Sequence, residues 1–143
     1  MSEMSRAPRI IDATPRCPDY GGACVTNIVP ALLGPGGTDK LPAFFPDIVR
    51  GAHQVVLLVV DGLGWHQLQD RIRENPSCAP TFAAMQGSAI TTIAPTTTVT
   101  ALTSIATGAA PGEHGMVGYR IDFAGRVVQM LRWADDRGDA RHR

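Results

Sequence analysis

The sequence has little of several features that mark particular protein classes. Lys40 is its single lysine, and the other twelve of its thirteen basic residues are arginine. We read this as composition bias, not as a site. Net charge is also lacking: thirteen acidic side chains balance the thirteen basic ones. No overall positive field therefore points to nucleic acid or to a membrane surface. Long hydrophobic runs are absent too. The longest strongly apolar stretch is Val55–Val60, far short of the ~20 residues that span a bilayer. Residues 1–16 are polar, Pro-punctuated and mixed in charge, with no apolar core of a secretory leader. A cytoplasmic protein is expected. Cysteine is scarce: Cys17, Cys24 and Cys78 cannot pair evenly and match no zinc-knuckle spacing. Free thiols in a reducing compartment are the expectation.

What is present fits one folded domain. The chain has 143 residues, 44% hydrophobic and 18% charged, as in soluble globular proteins rather than disordered ones. Fifteen Gly and eleven Pro exceed the usual level but stay below the ~25–30% of low-complexity chains.

Residues 1–50 read as an irregular lead-in, punctuated by Pro8, Pro15, Pro18, Pro30 and Pro35. It holds one short helix over 26–33, with Val25, Ile28, Val29 and Leu32 on one face and Pro30 in the first turn. The pattern sharpens over 51–133. Val55–Val60 is β-branched, apolar on both parities and ends in Asp61-Gly62, which predicts a strand buried on both faces in a parallel sheet. Leu68 and Ile72 space a helix over 65–73, stopped by Asn75-Pro76. A second short helix is predicted over 80–86, ended by Gly87. Residues 89–94 read as the next strand. Val99, Leu102, Ile105 and Ala106 then recur at helical spacing, and Gly108 supplies the residue just past the helix end. Two strands, 119–123 and 126–131, flank a tight Ala124-Gly125 turn. Residues 134–143 read as a charged tail. Strand, helix, strand, helix is the order of an α/β layer fold.

Several residues are chemically suggestive. Asp61 follows the most apolar strand, and ligands of open α/β sheets bind outside the carboxyl ends of strands. A carboxylate there is a hard oxygen donor for a divalent cation or a general base. Asp-Gly is equally a favoured turn pair. Thr96, Thr97, Thr98 and Thr100 lie between a strand and a helix. Hydroxyls at a helix start face backbone N–H groups and the positive end of the dipole, where phosphate binds and a hydroxyl nucleophile is served. Threonine is also a common cap. His114, flanked by Gly112 and Gly115, suits a loop fixed by hydrogen bonds more than a metal ligand.

Three other motifs fail. Gly62-Leu63-Gly64 begins a dinucleotide fingerprint, but Gln67 stands where the third glycine belongs. There is no Gly-Lys-Ser/Thr phosphate loop. Cys78-Ala79-Pro80 opens a sulfatase-type Cys-x-Pro-x-Arg motif, but Phe82 occupies the arginine position.

Four motifs occur in order: the apolar run closed by Asp61-Gly62-Leu-Gly, then Ala94-Pro95-Thr-Thr-Thr98, then Ala106-Thr107-Gly108, then Pro111-Gly-Glu-His114-Gly115. Together they resemble the N-terminal part of the type I phosphodiesterase/nucleotide pyrophosphatase family, within the alkaline phosphatase superfamily. The resemblance covers about residues 52–133. It implies an α/β/α sandwich around two divalent metal ions, expected to be zinc. It further implies that Asp61 binds metal and that Thr98 binds metal and is the catalytic nucleophile. Thr98 would attack the phosphorus of a phosphate-ester or nucleotide substrate, and water would release the product. Thr107-Gly108 and His114-Gly115 match scaffold positions.

The chain departs from the family in its donors. A zinc ion wants about four, and the family takes further Asp and His donors from motifs downstream of the nucleophile. After Thr98 this chain offers His114, His142 and the aspartates 135, 136 and 139, which lie in the charged tail. The chain therefore reads as roughly the first third of a family member with an incomplete sheet. It is expected to be inactive alone, not to hold two metals stably, and to present open strand edges for self-association. The competing reading is a non-catalytic phosphate-binding module without a complete metal site.

Overall fold

The computed structural model describes residues 16–78 and 80–141, Cys78 by its backbone alone. The charged tail's His142 lies outside them.

The lead-in folds as one turn of tight helix, Val25–Asn27, running into α1 (Ile28–Leu33). Asn27 makes this corner. Its side-chain amide donates to the carbonyls of Tyr20 (2.9 Å) and Gly22 (2.8 Å). Pro30 stands in the first turn of α1, where its missing N–H costs nothing. Helix α2 spans Trp65–Glu74. The Gln67 Oε1 accepts from the Gly64 N–H (3.0 Å) at its start, and its apolar residues Leu68 and Ile72 are half-buried. Helix α3 is Pro80–Ala84, two residues shorter than expected. Helix α4, Thr98–Thr107, ends at Gly108, whose φ of 76° is the left-handed conformation that favours glycine. The short α5 is Pro111–His114.

The hairpin is as the sequence implies. Strand β1 (Arg120–Phe123) pairs antiparallel with β2 (Arg126–Gln129), Phe123 opposite Arg126. Both residues of the two-residue turn have positive φ, 54° at Ala124 and 76° at Gly125, the turn whose twist suits a hairpin. The Gly125 N–H also donates to Asp122 Oδ1 (2.8 Å). The second strand is shorter than expected, since the chain turns back at Met130.

Residues 134–141 of the expected charged tail carry regular structure. Two short strands, β3 (Ala134–Asp135) and β4 (Gly138–Asp139), extend the sheet in the order β1-β2-β3-β4. The Asp135 carboxylate is fully covered and ion-paired with Arg126 (2.9 Å). That pairing joins residues nine apart and has no apolar periodicity to announce it.

The largest difference concerns Val55–Val60. It was expected as a buried central strand, but it is exposed and pairs with no strand among the described residues. Exposure alternates over 55–59: Val55 and Val59 are each 41% exposed and Leu57 43%, against 92% for Val56 and 79% for Leu58, and the alternation ends at Val60, at 48%. The backbone is therefore extended, with one face turned inward. Val55 and Leu57 line an apolar cavity of about 270 Å³ with Ile28, Leu32, Phe45 and Ile90. An apolar strand is buried on both faces only when it lies inside a sheet whose two faces other elements cover, and the described residues neither pair a strand with Val55–Val60 nor cover both of its faces. Residues 89–94, also expected as a strand, make a single parallel bridge, Thr91 to Cys24. The described residues thus form a mixed α/β structure of helices and a small antiparallel four-stranded sheet.

Helix α4 organises what core there is. Val99 packs with Val128 and Met130 of the hairpin, and half-buried Met116 and Ile121 cover them. Helix α4 also packs on α1.

Candidate active site at the start of helix α4

The chain enters α4 through Ala94-Pro95, a cis peptide, and Ile93, which is almost fully buried. Thr97 is the capping residue, with extended backbone (φ −102°, ψ 153°), and its side chain caps no backbone N–H. Its hydroxyl instead shares a 2.8 Å hydrogen bond with that of Thr100, which is completely buried. The first-turn N–H groups of α4 are thereby left without a capping side chain. Such groups and the helix dipole favour an anion.

Thr98 is the first residue of the helix and half-buried. Its hydroxyl lies 2.8 Å from the Tyr119 hydroxyl, in an exposed contact. Sequence reasoning placed Tyr119 at a strand start and missed this contact. The two residues lie 21 positions apart, and no local pattern connects them.

Asp61 falls in an exposed turn with Gly62, whose φ is 77°. No hydrogen bond or ion pair joins its carboxylate to another described residue. The structure therefore supplies a polar pair, Thr98 and Tyr119, and an unengaged carboxylate, Asp61, without a hydrogen bond linking Asp61 to Thr98.

His114 fixes the loop that carries Tyr119. The Met116 N–H donates to His114 Nδ1 (2.9 Å), so Nε2 carries the proton and donates to Ser104 Oγ (2.9 Å). Ser104 lies on α4 with no exposed surface. Both ring nitrogens are occupied, which makes this histidine a clamp between α4 and the loop. His114→Ala is expected to leave the buried Ser104 hydroxyl and the Met116 N–H without partners, costing about 1–3 kcal/mol of stability. The check is the urea-unfolding midpoint. An unchanged midpoint would refute the clamp.

The family model for type I phosphodiesterase / nucleotide pyrophosphatase matches residues 55–138. This is more than half of the chain, and it takes in Asp61, Thr98 and Tyr119. The chain belongs to the type I phosphodiesterase/nucleotide pyrophosphatase family. Phosphate-ester and nucleotide substrates and metal dependence hold at the level of that family. No curated protein and no solved structure matches the chain.

The donors present do not fit a metal centre by themselves. Among the described residues no three His, Cys, Asp or Glu side chains come together where they could hold a metal ion. The His114 nitrogens are committed to Ser104 and Met116. Among the described residues no helix is long and apolar enough to cross a membrane.

Proposed function

We propose that these residues are the nucleophile-bearing part of a phosphodiesterase or nucleotide pyrophosphatase. Thr98 is the nucleophile and Asp61 a metal donor, and the remaining donors come from outside these 143 residues. The observation that carries the reading is the position of Thr98, inside the region matched by the family. It is the first residue of α4, beside N–H groups that no side chain caps. An oxygen placed there can attack phosphorus while those N–H groups face the non-bridging phosphoryl oxygens. Tyr119 holds the Thr98 hydroxyl through their hydrogen bond and orients it. The alkaline-phosphatase-like α/β/α sandwich belongs to the same proposal: strands would pair with the edges of Val55–Val60 and helical layers would cover its two faces, which suits a run apolar on both parities.

The second reading, a phosphate-binding module without catalysis, is favoured by the lack of a three-donor cluster among the described residues. Two assays separate the readings. With zinc added, the 143-residue chain is expected to hydrolyse a p-nitrophenyl phosphodiester no faster than its Thr98→Ala variant. The same residues joined to the remaining portion of a family member, with its downstream carboxylates and imidazoles, are expected to turn over in a metal-dependent way. A completed chain that folds, binds zinc and stays inactive would favour the binding module.

A further inference from the structure

Residues 19–25 of the lead-in lie along residues 91–94, the stretch that runs into α4. The Thr91 N–H donates to the Ala23 carbonyl (2.8 Å), and the Val25 N–H donates to the Thr91 carbonyl (3.0 Å). The Thr91 hydroxyl accepts from the Asp19 N–H (2.9 Å) and donates to the Ala23 carbonyl (3.0 Å). Cys24, with no exposed surface, donates its thiol to the Thr92 carbonyl (3.8 Å). Tyr20 makes the contact nearest the site: its hydroxyl accepts from the Ala94 N–H (3.3 Å). The Tyr20 backbone is itself anchored, its carbonyl held by the Asn27 side-chain amide (2.9 Å).

Ala94 stands four residues before Thr98, and the passage between them is short and tied. The Thr97 N–H donates to the Pro95 carbonyl (3.1 Å), and the Thr97 carbonyl accepts from the Ala101 N–H (2.8 Å) in the first turn of α4. A shift of Ala94 is therefore carried into the backbone that bears Thr98. The lead-in also meets the far end of α4, where Pro30 lies against Gly108. The Tyr20 side chain is 38% exposed, and its contact with Ala94 is open to water. Water can take the place of the phenolic oxygen at the Ala94 N–H, so losing that oxygen costs little stability. What it loosens is the passage into α4, and misplacing a reacting group by about 1 Å costs on the order of a hundredfold in rate.

We infer that Tyr20 is a positioning residue for Thr98, acting through the Ala94 N–H to hold the passage that sets where α4 begins. The inference rests on the reading of Thr98 as nucleophile. Thr98 is then held from two sides: its hydroxyl by Tyr119, and the backbone that leads to it by Tyr20. Residues 19–25 thereby belong to the framework of the site, although they lie outside the region that the family model matches.

Two measurements test this. In the 143-residue protein, amide hydrogen exchange followed by NMR reads the contact itself. Tyr20→Phe is expected to speed exchange at Ala94 about twofold to tenfold, the worth of one hydrogen bond, and to shift the Thr98 amide resonance, with the urea midpoint nearly unchanged. In the completed chain, Tyr20→Phe is expected to lower kcat about tenfold or more and to leave KM within about twofold. Thr38→Val is the control. It removes another lead-in hydroxyl, whose hydrogen bond goes to the Ala52 carbonyl (3.0 Å) and joins no residue of 91–98, and it is expected to leave kcat within about twofold. Unchanged exchange at Ala94 or an unchanged kcat in Tyr20→Phe would overturn the inference. So would a loss confined to KM or to the urea midpoint, or an equal loss of kcat in Thr38→Val, since each marks a general structural role. Wild-type behaviour of Tyr20→Phe in both measurements, beside an inactive Thr98→Ala, would reject Tyr20 and leave the nucleophile standing. Full turnover in Thr98→Ala, beside faster Ala94 exchange in Tyr20→Phe, would reject the nucleophile and leave only the hold on Ala94. A completed chain that folds and shows no turnover would remove the nucleophile and the role of Tyr20 with it.

Discussion

Thr98→Ala in a chain completed with the family's downstream donors is expected to lower metal-dependent phosphodiester turnover by about 10⁴-fold or more, the scale seen when a covalent nucleophile is deleted. On the proposed reading, removing the oxygen removes the atom that would form the bond to phosphorus. No neighbouring threonine replaces it in the same place. Thr97 and Thr100 engage each other's hydroxyls, and Thr100 is buried. Thr98→Ser keeps an oxygen at the start of α4 and is expected to retain measurable turnover. Tyr119→Phe removes the 2.8 Å partner of Thr98 but not the nucleophile, and is expected to cost about tenfold to a hundredfold, as for a lost charge-orienting hydrogen bond. Full activity in Thr98→Ala would show that another group attacks phosphorus.

Gly108→Val is expected to give the largest loss of stability. Glycine is required there twice. The φ of 76° is strained for any residue with a Cβ, most of all a β-branched one. A Cβ at this position would also run into the ring of Pro30, which brings α1 against the end of α4. Backbone strain and steric overlap together are expected to destabilise by about 3 kcal/mol or more. Gly112→Ala is the control, since nothing lies near the added Cβ and a helical glycine replaced by alanine is expected to gain about 0.4–1 kcal/mol. Urea midpoints compare the two. Equal midpoints would contradict the packing of α1 on α4.

What the sequence disclosed depended on the range of the interactions involved. Helices α2 and α4 were legible because Leu68, Ile72, Val99 and Leu102 recur at helical spacing and Gly108 marks an end. The hairpin was legible because its turn residues sit between two short apolar stretches. The fate of Val55–Val60 was not, because burial of both faces depends on pairing strands and covering layers that no local pattern reports and the described residues do not supply. The apolar pattern reports the capacity to be buried, and the described residues leave that capacity partly unmet. The β3–β4 ribbon escaped notice because it is tied to β2 by the covered Arg126–Asp135 pair and not marked by apolar alternation. At the site, the order of motifs pointed to Asp61 and Thr98 as candidates, and the loop-fixing role of His114 agreed with its hydrogen bonds. Tyr119 was invisible, since its link to Thr98 exists only once the hairpin has folded back against α4.

The most direct measurement of the central claim, that Thr98 attacks phosphorus, is mass spectrometry of the completed chain quenched during turnover of a nucleotide substrate. Trypsin releases a single peptide from Glu74 to Arg120, which carries Thr98 and every neighbouring threonine. The account predicts that this peptide gains the mass of one phosphoryl or nucleotidyl group, that fragmentation places it on Thr98, and that Thr98→Ala lacks it. An adduct on Thr96, Thr97 or Thr100, or turnover with no adduct on this peptide in rapidly quenched samples, would contradict it.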